Sequence, residues 1–211
     1  MFKQWIKCET YLSNIKLNHL TEFYKMNRHS KPQKWRRLSS RVVFTHPRMI
    51  LAEDEVELPD GKRSLYLRQV YQGKGGVIII CQNGGKVLIQ REYSYPVDDI
   101  LYQFPGGKIE EGETPEQAAQ RELAEESNIL AEDFQQIGWF YADNRRTSAK
   151  LYVVCARGAF RDNYSLQPDE TEFISSSWLE INKLEQMISN GQIVNYSMLA
   201  AWALFKTAPM K

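Results

Sequence analysis

A chain of 211 residues that is 43% hydrophobic can bury one sizeable core with a small appended arm, so one main domain is expected. Lys and Arg number 27 against 26 Asp and Glu, and a net charge of +1 excludes a global electrostatic drive toward nucleic acid or an anionic membrane. Cys8, Cys81 and Cys155 have neither zinc-ligand spacing nor the density of a disulfide scaffold, which fits a reducing cytoplasm.

The first 31 residues begin too polar for a signal-peptide core, and no apolar run in the chain reaches the ~20 residues of a spanning helix, so a soluble, unexported protein is expected. Trp5, Ile6, Leu12, Ile15, Leu17 and Leu20 suit one or two amphipathic helices packed on the main body, and Asn27 to Pro32 reads as a basic, turn-prone linker. Residues 32–73 change to short β-type runs: 40–44, 49–51, 54–58 and 64–67, with a Pro59-Asp60-Gly61-Lys62 turn, which predicts a small antiparallel sheet arm.

Residues 74–211 form the remaining domain. Gly76 to Cys81, an Asn83-Gly84-Gly85 turn and Val87 to Arg91 predict a buried hairpin, and a strand over 101–104 ends at Pro105-Gly106-Gly107. A helix opens at Thr114, with Pro115 at its first position and Gln117 completing a capping box; Asn128 stands where a left-handed cap belongs. Strands over 134–141, 150–156 and 173–179 and helices over 181–190 and 197–206 complete an α+β fold, a mixed sheet sandwiched between helices.

Glu122, Glu125 and Glu126 lie three and four apart on one side of the predicted helix, where like charges repel. The pattern suits a solvated acidic face, or carboxylates that hold a hard divalent cation such as Mg2+ or Mn2+ through oxygen. His19, His29 and His46 have no metal-ligand spacing.

The stretch Gly107-Lys108-Ile109-Glu110-Glu111-Gly112-Glu113 through Arg121-Glu122-Leu123-Ala124-Glu125-Glu126-Ser127-Asn128-Ile129 resembles the Nudix box, with Asn128 in place of its last glycine. That resemblance implies a Nudix fold and metal-dependent attack of water on phosphorus. It implies Glu122 and Glu126 as main metal ligands, Glu125 as a further ligand or water contact, the Gly106 carbonyl as a contributor, and Glu113 pairing with Arg121. Arg121 and Glu125 are counted among the catalytic candidates.

From Trp35 onward the chain is most similar to the ADP-ribose and nucleoside-diphosphate-sugar pyrophosphatases of that family. Residues 35–44 and 56–61 look like their N-terminal sheet, which implies a homodimer whose arm helps build each active site, with Trp35 and Arg41 as substrate-binding candidates. Trp35 suits either stacking on a base or capping the core. In Arg91-Glu92-Tyr93-Ser94-Tyr95-Pro96, Ser94 replaces the usual arginine, so Arg91, or Arg145 and Arg146, would supply the phosphate contact. Gln103 stands where many relatives carry a substrate-binding glutamate. In Asp169-Glu170-Thr171-Glu172-Phe173-Ile174, Glu170, with Glu172 as second choice, would be the general base.

The expected substrate is a nucleoside diphosphate sugar. Dinucleotide polyphosphates, capped RNA ends and coenzyme A derivatives are alternatives, as is a module that senses ADP-ribose without cleaving it. The intact box acids, and the lack of a basic recognition helix after Ser165, weigh against the sensor.

Overall fold

The computed structural model describes residues 32–161 and 174–208. The helical extension expected over residues 1–31 and the acidic stretch with Glu170 and Glu172 lie outside the described residues. Two compact units are distinguished, one of residues 32–41 with 53–66, the other of residues 42–52 with 67–161 and 174–208.

Strands β1 (Arg36–His46), β2 (Met49–Glu57) and β3 (Arg63–Val70) form a three-stranded sheet in sequence order. The runs expected at 49–51 and 54–58 are one continuous strand, because burial alternates without a break through Ala52, Asp54 and Val56. The 59–62 turn forms as read: Leu58 N–H donates to the Lys62 carbonyl, and Gly61 takes φ 82, open to glycine at no steric cost. In the smaller unit, Arg36–Glu57, Arg41–Glu53 and Arg63–Glu55 ion pairs cross the sheet surface.

The larger unit is built on a six-stranded mixed sheet. Its path runs β11 (Ser175–Glu180), β5 (Lys86–Ser94), β4 (Gly76–Asn83), β9 (Lys150–Arg157), β8 (Asp133–Tyr141), with β6 (Asp99–Gln103) also on β5. Only the β4–β9 pairing among these is parallel. A two-residue ladder joins β7 (Ile129–Leu130) to β10 (Phe160–Arg161), too short to leave a period in the sequence.

Every residue from Val77 to Cys81 on β4 is buried, so both faces of the sheet are covered. Val77, Ile79 and Cys81 cluster with Ala118, Ala119 and Leu123 of helix α1 (Pro115–Ser127). Ile78 and Ile80 cluster instead with Leu184 of α2 (Ile181–Ser189) and with Met198 and Trp202 of α3 (Tyr196–Thr207). This is the α/β/α layering read from the sequence. No described helix is long and apolar enough to cross a membrane.

Candidate functional site

Helix α1 starts and stops on local chemistry, and that fixes where its glutamates stand. The Thr114 hydroxyl accepts the Gln117 N–H at 3.2 Å while the Gln117 side chain accepts the Thr114 N–H at 2.8 Å. At the other end Asn128 takes φ 52 and its N–H donates to the Ala124 carbonyl, so asparagine fills the left-handed position as expected. The alanine face is buried, which turns Arg121, Glu122, Glu125 and Glu126 toward the partly exposed side.

One guanidinium organises most of the acids. Arg121 donates to both carboxylate oxygens of Glu113 (2.8 and 3.0 Å), to Glu122 (2.9 Å) and Glu125 (3.1 Å), and to the Lys108 carbonyl. Hydrogen bonds from Arg121, then from the Glu110 N–H, hold the Glu113 carboxyl down to about 2, and Glu113 in turn pushes the Arg121 guanidinium up. The repulsion expected among the helix acids is therefore offset by an internal cation.

Glu126 is held differently. Its Oε2 accepts the Gly106 N–H at 3.1 Å and the Gln90 Nε2–H at 3.0 Å. Residues 105–107 run beside β4, with Val77 and Ile79 N–H donating to the Gly107 and Pro105 carbonyls. A Cβ on Gly106 would strike the Val77 carbonyl, and one on Gly107 would strike the Glu122 carboxyl group. Gly106 is demanded by close approach to the β4 backbone, whereas at Gly107 the Glu122 carboxylate occupies the space a side chain would fill.

The donor chemistry fits a hard divalent cation. Glu122 and Glu126, which lie against the glycine turn, offer only oxygen together with the Gly106 carbonyl, Glu125 adds another carboxylate on the same side of the helix, and there is no soft ligand among them. Among the described residues no three acids are gathered into a ready-made cage. Arg121 draws on Glu122 and Glu125 while Gln90 and Gly106 hold Glu126.

The other sequence-derived candidates are more scattered. Gln103 pairs with Gln90 across β6 and β5 and donates to Glu92 at 2.6 Å, on the sheet face that α1 covers. Arg91, the next residue along, points to the opposite face, its guanidinium 5.6 Å from the centre of the Tyr102 ring. Arg145 and Arg146 lie in the loop after β8; their neighbour Asp143 accepts the Arg145 N–H and lies 3.7 Å from the Arg146 guanidinium. Trp35 packs edge-on to Tyr66, and Arg41 pairs with Glu53, both within the smaller unit. A cleft of about 580 Å3 in the larger unit, bordered by Arg48, Tyr71, Lys108 and Lys150, contains none of the helix acids.

Sequence reasoning missed Gln90. The signal was present: a polar residue directly after the apolar run Val87-Leu88-Ile89, in a strand read as buried, is a more informative observation than any exposed apolar residue.

With this geometry in hand, comparisons with known proteins agree along most of the chain. A family model described as NUDIX domain matches residues 72–201, and one described as Nucleoside diphosphate sugar hydrolase N-terminal domain matches residues 35–66. An ADP-ribose pyrophosphatase of Bacillus subtilis (strain 168) is 25% identical over 168 residues, 79% of this chain and 89% of that protein. A methanol dehydrogenase activator of Bacillus methanolicus is 26% identical over 165 residues, 78% of this chain and 88% of that protein. A crystal structure of an ADP compounds hydrolase shares the fold with TM-score 0.76 at 22% identity, covering 82% of this chain and 93% of that one.

Proposed function

The chain belongs to the Nudix hydrolase family, and from that premise we propose that it cleaves the pyrophosphate of ADP-ribose or a related nucleoside diphosphate sugar. The products are a nucleoside monophosphate and a sugar phosphate. The observation that carries the reading is the apposition of two helix carboxylates to the glycine turn: Glu126 accepts the Gly106 N–H, and Glu122 lies where a Gly107 side chain would be.

In this reading Glu122 and Glu126, with Glu125 and the Gly106 carbonyl, hold Mg2+ or Mn2+. The cation, when bound, neutralises the charge that the pyrophosphate gathers as it is attacked. Arg121, clamped by Glu113, pairs with Glu122 and Glu125 and offsets their mutual repulsion along the helix. Glu170, with Glu172 as second choice, takes a proton from the attacking water as its oxygen bonds to phosphorus and the bridging P–O bond breaks.

The choice of a nucleoside diphosphate sugar is supported by the match of residues 35–66 to that class's N-terminal domain and by likeness to an ADP-ribose pyrophosphatase along 89% of its length. Trp35 and Arg41 of the arm, and Gln103, Arg145 and Arg146 of the larger unit, are the proposed substrate contacts. Arg91 ranks below them, because it stacks on Tyr102 on the face away from α1. We further propose that two copies associate through the β1–β3 arm and complete each other's sites.

The test is incubation of the protein with ADP-ribose, ADP-glucose, GDP-mannose and UDP-glucose, with Mg2+ or with chelator, beside a Glu126→Gln variant. Expected is cation-dependent release of nucleoside monophosphate, down roughly 100- to 1000-fold in the variant, the range for losing one strong electrostatic stabiliser. Cleavage that persists in chelator or in Glu126→Gln, or no cleavage of any of the four, would overturn it.

A further inference from the structure

Strand β5 carries a whole amide where its neighbours are apolar. Val87, Leu88 and Ile89 are buried, and so is Gln90, at 0% exposure. Its orientation is set by chemistry: Nε2 lies 3.0 Å from Glu126 Oε2, and a reversed amide would set oxygen against oxygen there. The far end of the amide, Oε1, is buried and has no hydrogen-bond partner among the described residues. An unsatisfied buried acceptor is a cost that a methionine or leucine in the same place would not incur.

What Gln90 does in return is visible at Glu126. Two N–H donors, from Gln90 and Gly106, converge on the single oxygen Oε2 and anchor that end of the carboxylate. Both donors are neutral, so they orient the group without cancelling its charge. Glu122 and Glu125, by contrast, are held by the positive guanidinium of Arg121. Cross-strand register puts Ser176 of β11 and Gln103 of β6 on either side of Gln90, with the Ser176 hydroxyl 3.5 Å from Nε2. The row marks where the apolar floor under α1 gives way to a polar one.

We propose that Gln90 is a positioning residue that presets the Glu126 carboxylate for a divalent cation, acting on cation affinity and not on the chemical step. The inference rests on the reading of Glu126 as a cation ligand. A glutamate fixed before binding loses less side-chain freedom when the ion arrives, and partners of this kind typically tune metal affinity by about 10- to 100-fold.

Mn2+ alone is titrated into the full-length wild type and Gln90→Met, followed by electron paramagnetic resonance, with melting curves and ADP-ribose kinetics alongside. Gln90→Met is expected to bind Mn2+ roughly 10- to 100-fold more weakly and to melt no lower than wild type. Its rate is expected to recover as Mn2+ is raised by the same factor, with KM for ADP-ribose unchanged. Gln90→Asn, which keeps the amide but withdraws it by one methylene, loses affinity in the same way and decides the matter if methionine disturbs the fold. Wild-type Mn2+ affinity in either folded variant overturns the proposal and leaves the hydrolase reading intact. So does a rate that stays low at saturating Mn2+. A wild-type chain that binds no Mn2+ overturns both.

Discussion

Against one face of the central sheet lie α2 and α3, with Trp202 set between Phe104 and Phe205 at ring-centre distances of 6.2 and 5.0 Å. Against the other lies α1, which meets the strands through Ala118, Ala119, Leu123 and Ala124. Large side chains on the first face fill volume. Small ones on the second let a helix backbone come close enough for its glutamates to reach the 106–107 turn. The proposed chemistry and the packing of large side chains lie on opposite sides of the same strands, so changes on one side should leave the other's readout untouched.

Trp202→Ala is the strongest test of that separation. Removal of this buried ring should cost about 3–5 kcal/mol in denaturant unfolding, with kcat of the folded fraction unchanged. A fall in kcat under folding conditions would mean that the two faces of the sheet are coupled. On the other side, Gly107→Ala should do the reverse. Gly107 has no left-handed backbone to strain, so the added methyl acts only by displacing the Glu122 carboxyl group. A misplacement of that size typically costs on the order of 100-fold in rate, while the melting temperature stays near wild type.

Thr114→Ala sharpens the contrast from within α1. It removes one arm of the capping box and should lower stability by about 1 kcal/mol, as read by thermal unfolding, with little effect on activity because the helix face itself is unchanged.

These cases also show which features were legible beforehand. The limits of α1 could be read because Thr114, Pro115, Gln117 and Asn128 act on their own backbone or within one turn of it. Strands β2, β4 and β5 were legible for a similar reason: alternate burial in β2 leaves a period, and the unbroken apolar runs of β4 and β5 sit between turn residues. The parallel pairing of β4 with β9 was not legible, because nothing local in Gly76 to Cys81 names a partner beyond α1. The two-residue β7–β10 ladder was hidden for want of length. Within the site, the glutamate spacing announced itself, whereas the turning of Arg91 toward Tyr102 and the clasp of Gln90 on Glu126 depend on which face each residue of β5 presents.

Near neutral pH the smallest effect belongs to the thiols, and it samples both faces at once. Burial pushes the Cys81 thiol, on the α1 side, up to about 12 and the Cys155 thiol, on the other, up to about 11. A folded-state value raised above the unfolded one gives stability that is complete below about pH 8.5. That stability drains away as pH climbs toward 11 and 12. Urea midpoints should therefore be flat from pH 7 to 8.5 and fall above it, and neither thiol should react with a thiol reagent at pH 8 until denaturant is added. Fast labelling of Cys81 in the native protein would mean the α1 side opens more readily than its packing implies.

The parallel β4–β9 ladder also governs the order in which this molecule can come into being. Val77 to Cys81 must find Tyr152 to Ala156, and the whole of α1 and β8 is synthesised between them. Until β9 emerges, the buried apolar strand β4 has one open edge, so a nascent or freshly diluted chain must hold that edge unpaired while the intervening helix caps itself. Refolding at high concentration should therefore lose material to aggregation in proportion to the time spent waiting for β9, and a chain truncated before Lys150 should be insoluble although every acid of α1 is present.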